Sequence, residues 1–214
     1  MWHLTNTKNP KSWKETYVQK TFADFDGTLE QLYTSIEVAS HLNREFYLDN
    51  ITPTIANQFD KFVRFWNMVD ENSELLMTNR EPIKLYIDSR GGSLSAALTI
   101  IDTIKLSRTP VYTVNIGNVF KESFYVYLAG LKRYSYPRAS FYYEKDLSFF
   151  NMGETQSNYE DFIKDQQTEL HDMLLEGTKI TESDYEKRNG WWITPEKAYN
   201  LHICNEVLRS KHVL

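Results

Sequence analysis

The stretch that decides the fold is Leu85-Tyr86-Ile87-Asp88-Ser89-Arg90-Gly91-Gly92-Ser93. The apolar, β-prone residues 83–87 predict a strand, and apolar residues at helical spacing predict a helix over 94–107. A strand that enters Gly-Gly and then a helix frees backbone N–H groups and lets a carbonyl oxygen approach closely. The glycine pair therefore predicts either a tight turn or an oxyanion-binding loop.

The segments on either side of this stretch continue the alternation of strands and helices. Upstream, a helix is predicted from Thr28, a strand over 44–48 and a helix from the Thr52-Pro53 start. Downstream, the pattern predicts a strand over 110–116, a helical run after Gly117 through Leu128, strands over 132–136 and 140–143, a long helix over 157–176, and short helices over 181–188 and 194–201. This order predicts one α/β domain over 26–209 with parallel pairing, flanked by an N-terminal arm (1–25) and a tail (210–214).

Composition excludes several classes of protein. The 214 residues are 41% hydrophobic and 25% charged, which is enough for a core and excludes wholesale disorder. The net charge of −5 comes with scattered basic residues, so nucleic acid is not the expected partner. No apolar stretch is long enough for a membrane span, no secretory signal is evident, and a single cysteine, Cys204, suits a reducing compartment such as the cytoplasm.

Two segments carry a resemblance to a known family. "LYIDSRGGSLSAALTIIDTI" (85–104) and "TPEKAYNLHICNEV" (194–207), with Ile116-Gly117-Asn118 and Leu128-Ala129-Gly130 between them, resemble the proteolytic subunit of the Clp protease, a self-compartmentalising serine peptidase. The resemblance covers roughly 29–209. It implies a ClpP/crotonase-like superhelical stack of β-α units, in which the helix over 157–176 is the protruding handle that joins two rings.

The resemblance also implies where the family's Ser-His-Asp triad would lie. Nine residues before Gly130, the serine position holds Lys121; seven after Pro137, the histidine position holds Glu144; four before Thr194, the aspartate position holds Gly190. No histidine lies between His41 and His171, and the carboxylates beside His171 predict a solvated face of the handle. The chain is therefore expected to be a degenerate, non-catalytic member with no cofactor or metal.

Three alternatives concern the chemistry at these positions. Lys121 and Glu144 can fill the former site as an ion pair, which is the structural interpretation. Lys121 with Ser123 or Ser93 can instead form a lysine-dependent or altered serine peptidase. An acyl-CoA enzyme of the crotonase superfamily, with Glu122 or Glu144 as its acid, is the third hypothesis.

Partners and binding residues follow from the resemblance alone. It implies heptameric or tetradecameric rings, formed by this chain or with active ClpP subunits, and a Clp/Hsp100 ATPase docked on a pocket that includes Tyr86. The implied oxyanion loop consists of Gly91, Gly92 and the backbone amide of Glu122, where a nearby carboxylate disfavours a developing oxyanion. Arg90 replaces the proline that the family usually has before the glycines.

Overall fold

The computed structural model describes residues 29–73, 76–145 and 159–209. The chain divides into two compact units, Met1–Glu45 and Phe46–Leu214. In the first unit the described helix is α1 (Leu29–Leu42). The predicted arm (1–25) and tail (210–214) lie outside the described residues.

The elements from residue 45 onward follow the predicted alternation. They are β1 (Glu45–Leu48), α2 (Pro53–Asn72), a 3₁₀ turn (Met77–Asn79), β2 (Ile83–Ser89), α3 (Leu94–Leu106), β3 (Val111–Phe120), α4 (Glu122–Leu128), β4 (Lys132–Ser135), β5 (Ser140–Glu144), α5 (Tyr159–Gly177), α6 (Glu182–Glu186), β6 (Gly190–Ile193), α7 (Pro195–Asn200) and β7 (Glu206–Val207).

The strands form one mostly parallel sheet, as the β-α-β order predicts. The strand order is β1-β2-β3-β4-β7, and β3 also pairs with β5. Strands β2 and β3 pair in parallel from Ile83 opposite Val111 onward, so α3 is the crossover between them. The pairs β3–β4, β3–β5 and β4–β7 are also parallel, whereas β6 runs antiparallel to β5.

Apolar faces at the predicted spacing build the core. In α2, Thr52 caps the helix by accepting the Ile55 N–H at 3.2 Å, and Pro53 takes the first turn. The buried face of α2 includes Phe59 and Trp66, and the Phe46 ring of β1 meets Phe59 edge-on at 5.2 Å between centroids. This packing holds the buried face of α2 against the sheet residue Phe46, because burial of large apolar side chains is the main favourable term in folding.

Two sequence predictions were wrong in detail. Strand β3 extends to Phe120, so the helix expected soon after Gly117 starts only at Glu122. The cause is long-range pairing: Asn118–Phe120 lie in register with Ser140–Tyr142 of β5. In addition, β6 and β7 had not been predicted as strands, since four and two residues carry no readable alternation.

The long helix α5 is present, but one of its residues differs from expectation. Leu170 and Leu174 are buried, as its apolar stripe predicts. His171 does not lie on a simply solvated face: its ring stacks on Tyr185 at 4.1 Å, and its Nε2 lies 3.0 Å from Glu182 Oε2. Among the described residues, no helix is long and apolar enough to cross a membrane.

Candidate active site

A sharp turn joins β3 to α4 at Lys121. This residue has φ 54° and ψ −121°, a left-handed backbone conformation that is rare for a residue with a side chain. The turn is held by its own N–H, which donates to the Tyr142 carbonyl at 3.0 Å, and by its carbonyl, which accepts from Phe124. A strained strand-to-helix elbow is the geometry in which several hydrolases present their nucleophile. Here the residue on the elbow is a lysine.

The three positions predicted from the family spacing come together around this elbow. Lys121 Nζ lies 3.0 Å from Glu144 Oε2, which is the contact expected from the sequence. Glu144 and Gly190 are directly opposed in the β5–β6 pair. The Lys121 ammonium donates a hydrogen bond to the Glu144 carboxylate, which raises the pKa of this lysine above its ordinary 10.5. Lys121 is therefore a cation at neutral pH.

The predicted oxyanion loop contains a carboxylate. Glu122 is only 5% exposed, and its Oε2 accepts the Gly92 N–H at 3.0 Å. A Cβ built on Gly91 would lie 2.2 Å from the same oxygen, so the carboxylate lies directly against the glycine pair. The Gly92 amide, which belongs to the oxyanion loop predicted from the resemblance, is thus already bonded to a side chain of this chain.

The glycines themselves have a structural reason to be there. Ser93 donates its N–H to the Ile51 carbonyl at 2.8 Å, and the Ile51 N–H donates to the Gly91 carbonyl at 3.3 Å. A Cβ on Gly92, whose φ is +153°, would lie 2.3 Å from the Ile51 oxygen. Backbone contact this close excludes any side chain at Gly92.

Neither candidate serine is placed as a nucleophile. Ser123 is fully buried, and its Oγ accepts the Phe120 N–H at 2.8 Å while lying within donating distance of the Phe120 and Ser89 carbonyls. Ser93 is the N-cap of α3, and its Oγ accepts the Ala96 N–H at 3.4 Å. Both hydroxyls therefore bond backbone groups of the elements that they join.

An aromatic group beside the elbow was missed by sequence reasoning. The rings of Phe120, Tyr142 and Trp192 lie 4.8 to 6.1 Å apart, and Trp192 is 65% exposed. The Tyr142 hydroxyl would be 2.4 Å from a Cβ on Gly190, so it fills the space beside that glycine. Recognising β6 as a strand paired with β5 would have placed Tyr142 opposite Trp192.

Tyr86, the predicted docking residue, is largely buried. It is 8% exposed and packs with Val114 and Leu208 on one side of the sheet. The Tyr47 ring stacks on it at 4.9 Å and is itself 53% exposed. Tyr47 is therefore the more exposed ring of this stacked pair.

Comparison with known proteins identifies the family. The Clp protease family model matches residues 36–211, and the chain belongs to that family. It is 27% identical over 140 residues to the ATP-dependent Clp protease proteolytic subunit 2 of Borreliella burgdorferi, covering 63% of this chain and 71% of that protein. It is 28% identical over 152 residues to the proteolytic subunit of Dehalococcoides mccartyi, covering 64% of this chain and 74% of that protein.

A solved structure confirms the predicted fold. The ClpP1 N165D mutant from Listeria monocytogenes superposes with a TM-score of 0.67 at 21% identity, covering 82% of this chain and 97% of that one. The fold is therefore that of ClpP: parallel β-α units with the long helix α5 inserted after β5.

Proposed function

We propose that this chain is a ring subunit of a Clp-type protease assembly that does not itself cleave peptides. The observation that carries the proposal is the elbow, where the side chain at the nucleophile position is a lysine bonded to Glu144. The conformation associated with a nucleophile is retained while the nucleophile is absent.

The chemistry of the site supports this proposal. Serine peptidases need a nucleophile, a base that takes its proton and a group that orients the base. Lys121 is protonated at neutral pH because the carboxylate beside it raises its pKa, so it serves as neither base nor nucleophile. Gly190 has no side chain with which to orient anything. Loss of a full triad reduces turnover by about six orders of magnitude.

The two other chemistries are not supported by the same residues. An altered serine peptidase would need Ser123 or Ser93 to be free, and both bond backbone groups. An acyl-CoA enzyme would stabilise a thioester oxyanion at the Gly92 amide, which the Glu122 carboxylate already occupies.

Assembly is the second half of the proposal. Clp proteolytic subunits form oligomeric rings that work with ATPases, and the proposed state of this chain is heptameric or tetradecameric, alone or mixed with active subunits. Helix α5 is the proposed handle between rings. The stacked pair Tyr47 and Tyr86 is the proposed edge of the ATPase docking pocket, and the proposed location is the cytoplasm.

The test is co-expression of the tagged chain with an active Clp proteolytic subunit. Native mass spectrometry counts the subunits in each particle, and a fluorophosphonate probe reports which chains carry a reactive serine. We expect mixed rings in which the probe labels the active subunit alone. Probe on this chain would overturn the non-catalytic half of the proposal, and strictly separate homo-oligomers would overturn its mixed-ring form. Lys121→Ala is the matched control, which should leave the labelling pattern unchanged.

A further inference from the structure

We infer that two side chains outside the three triad positions close this site: Glu122, whose carboxylate occupies the oxyanion loop, and Tyr142, whose hydroxyl occupies the space of a side chain at 190. The inference rests on the proposed function: the proposed function states that the site is inactive, and the inference gives the cause. Its consequence is that restoring serine, histidine and aspartate at the triad positions does not restore a reactive site.

Glu122 acts through the position of its carboxylate. Its Oε2 accepts the Gly92 N–H at 3.0 Å and lies 2.2 Å from the position of a Cβ on Gly91, with the residue 5% exposed. A substrate oxyanion stabilised by the Gly92 amide would have to take the place of this oxygen. The loop is formed, and a permanent internal ligand fills it.

Tyr142 acts through volume. Its hydroxyl and two ring carbons lie 2.4, 3.1 and 3.2 Å from the position of a Cβ on Gly190. The ring is not free to swing away easily, because Trp192 packs on it at 4.8 Å and Phe120 at 6.1 Å. An aspartate at 190 therefore fits only if the Tyr142 ring moves away from its position in this structure.

The decisive experiment compares two reverted proteins. The first carries Lys121→Ser, Glu144→His and Gly190→Asp; the second adds Glu122→Ala and Tyr142→Val, the latter keeping a residue of high β propensity in the strand. Each is treated with a fluorophosphonate. In that reaction the serine oxygen forms a bond to phosphorus, fluoride leaves, and the hydroxyl proton passes to the histidine.

We expect the five-substitution protein to be labelled at residue 121 at least about tenfold faster than the three-substitution protein, since one blocked amide alone changes rates by about 10² or more. Equal labelling of the two would overturn the inference, as would a folded five-substitution protein that is not labelled. A version with Glu122→Gln in place of Glu122→Ala is the matched control. Glutamine keeps an oxygen for the Gly92 N–H, so this version should label clearly more slowly than the alanine version, from which it differs at residue 122 alone; labelling as fast as the alanine version would refute occupancy of the Gly92 amide as the cause.

Two measurements on single-site variants keep the inference testable if the reverted proteins do not fold. Hydrogen exchange at the Gly92 amide should be at least about tenfold faster in Glu122→Ala than in Glu122→Gln, because only alanine removes the acceptor. Gly190→Ala should lower the urea midpoint in the native sequence and lower it less in a Tyr142→Val background. Equal Gly92 exchange rates in the two Glu122 variants would contradict the role of Glu122. An equal loss of urea midpoint in the two backgrounds would contradict the role of Tyr142. Labelling of the unmodified chain would instead overturn the proposed function, so the two failures are distinguishable.

Discussion

Replacing Ser123 by alanine separates a structural hydroxyl from a catalytic one. The Oγ is fully buried and accepts the Phe120 N–H at 2.8 Å, while its single proton goes to the Phe120 carbonyl at 2.7 Å or the Ser89 carbonyl at 2.9 Å. Alanine leaves that N–H buried without its acceptor, which costs about 1–3 kcal/mol, and it also loses the donated bond, worth about 1 kcal/mol net. We expect Ser123→Ala to lower the free energy of unfolding by about 2–4 kcal/mol in total.

The assay is urea unfolding followed by tryptophan fluorescence, at one protein concentration because assembly links stability to concentration. Ser95→Ala is the matched control. Its hydroxyl is exposed on α3 and its partner is the Ser93 Oγ at 3.0 Å, so its loss should change stability by less than about 0.5 kcal/mol. A Ser123→Ala protein as stable as the control would refute the structural interpretation, and loss of probe labelling with unchanged stability would reinstate Ser123 as a nucleophile.

Four further predictions concern the loop, the elbow and the cysteine. Gly92→Ala should cost about 2 kcal/mol or more in urea unfolding because its Cβ meets the Ile51 oxygen, whereas Gly177→Ala, with nothing within 4 Å, should be neutral or slightly stabilising. Lys121→Gly should be more stable than Lys121→Ala by about 1 kcal/mol, since both remove the ion pair but only glycine relieves the strain at φ 54°; equal midpoints would contradict this. The raised pKa of Lys121 means that its pairing contributes to stability below the ordinary value of 10.5 and is lost as pH rises through the folded value. The stability difference between the native chain and Lys121→Met should therefore stay level from pH 7 to about 10 and shrink above that; a difference that grows with alkaline pH would exclude a charged lysine in the pair. Burial raises the pKa of Cys204 to about 11, so iodoacetamide at pH 8 should modify it about 100-fold more slowly than in urea, and equal rates would show that the thiol is accessible.

The alternation of strands and helices could be predicted from sequence because it depends on local periodicity. The strand before Gly91 and the helix after Ser93 have separate apolar patterns and a glycine boundary, and both are present within two residues of their predicted limits. The end of β3 could not be predicted in this way. Its last three residues are strand because β5 pairs with them, and no local pattern indicates a partner 22 residues away.

The candidate site likewise has a part that the sequence predicts and a part that depends on long-range packing. Counting residues from Gly130, Pro137 and Thr194 located the three triad positions, because the lengths of the elements set the spacing between them. The structure brings Lys121, Glu144 and Gly190 together. The direction of a side chain was beyond such counting. Glu122 turns back to the Gly92 amide and Tyr142 covers Gly190 because of rotamers chosen by packing between distant strands.

The hydrogen bonds between the Gly91–Ser93 backbone and Ile51 separate the structural role of the glycine pair from a catalytic role. Because the backbone of residues 91–93 is fastened to Ile51, these glycines are required for the chain to close on itself whether or not any peptide is ever cut. Their presence in this chain is therefore explained by its architecture and carries no information about catalysis. The residue immediately after the elbow, Glu122, is the more informative position, because its side chain determines whether the Gly92 amide is open to a ligand.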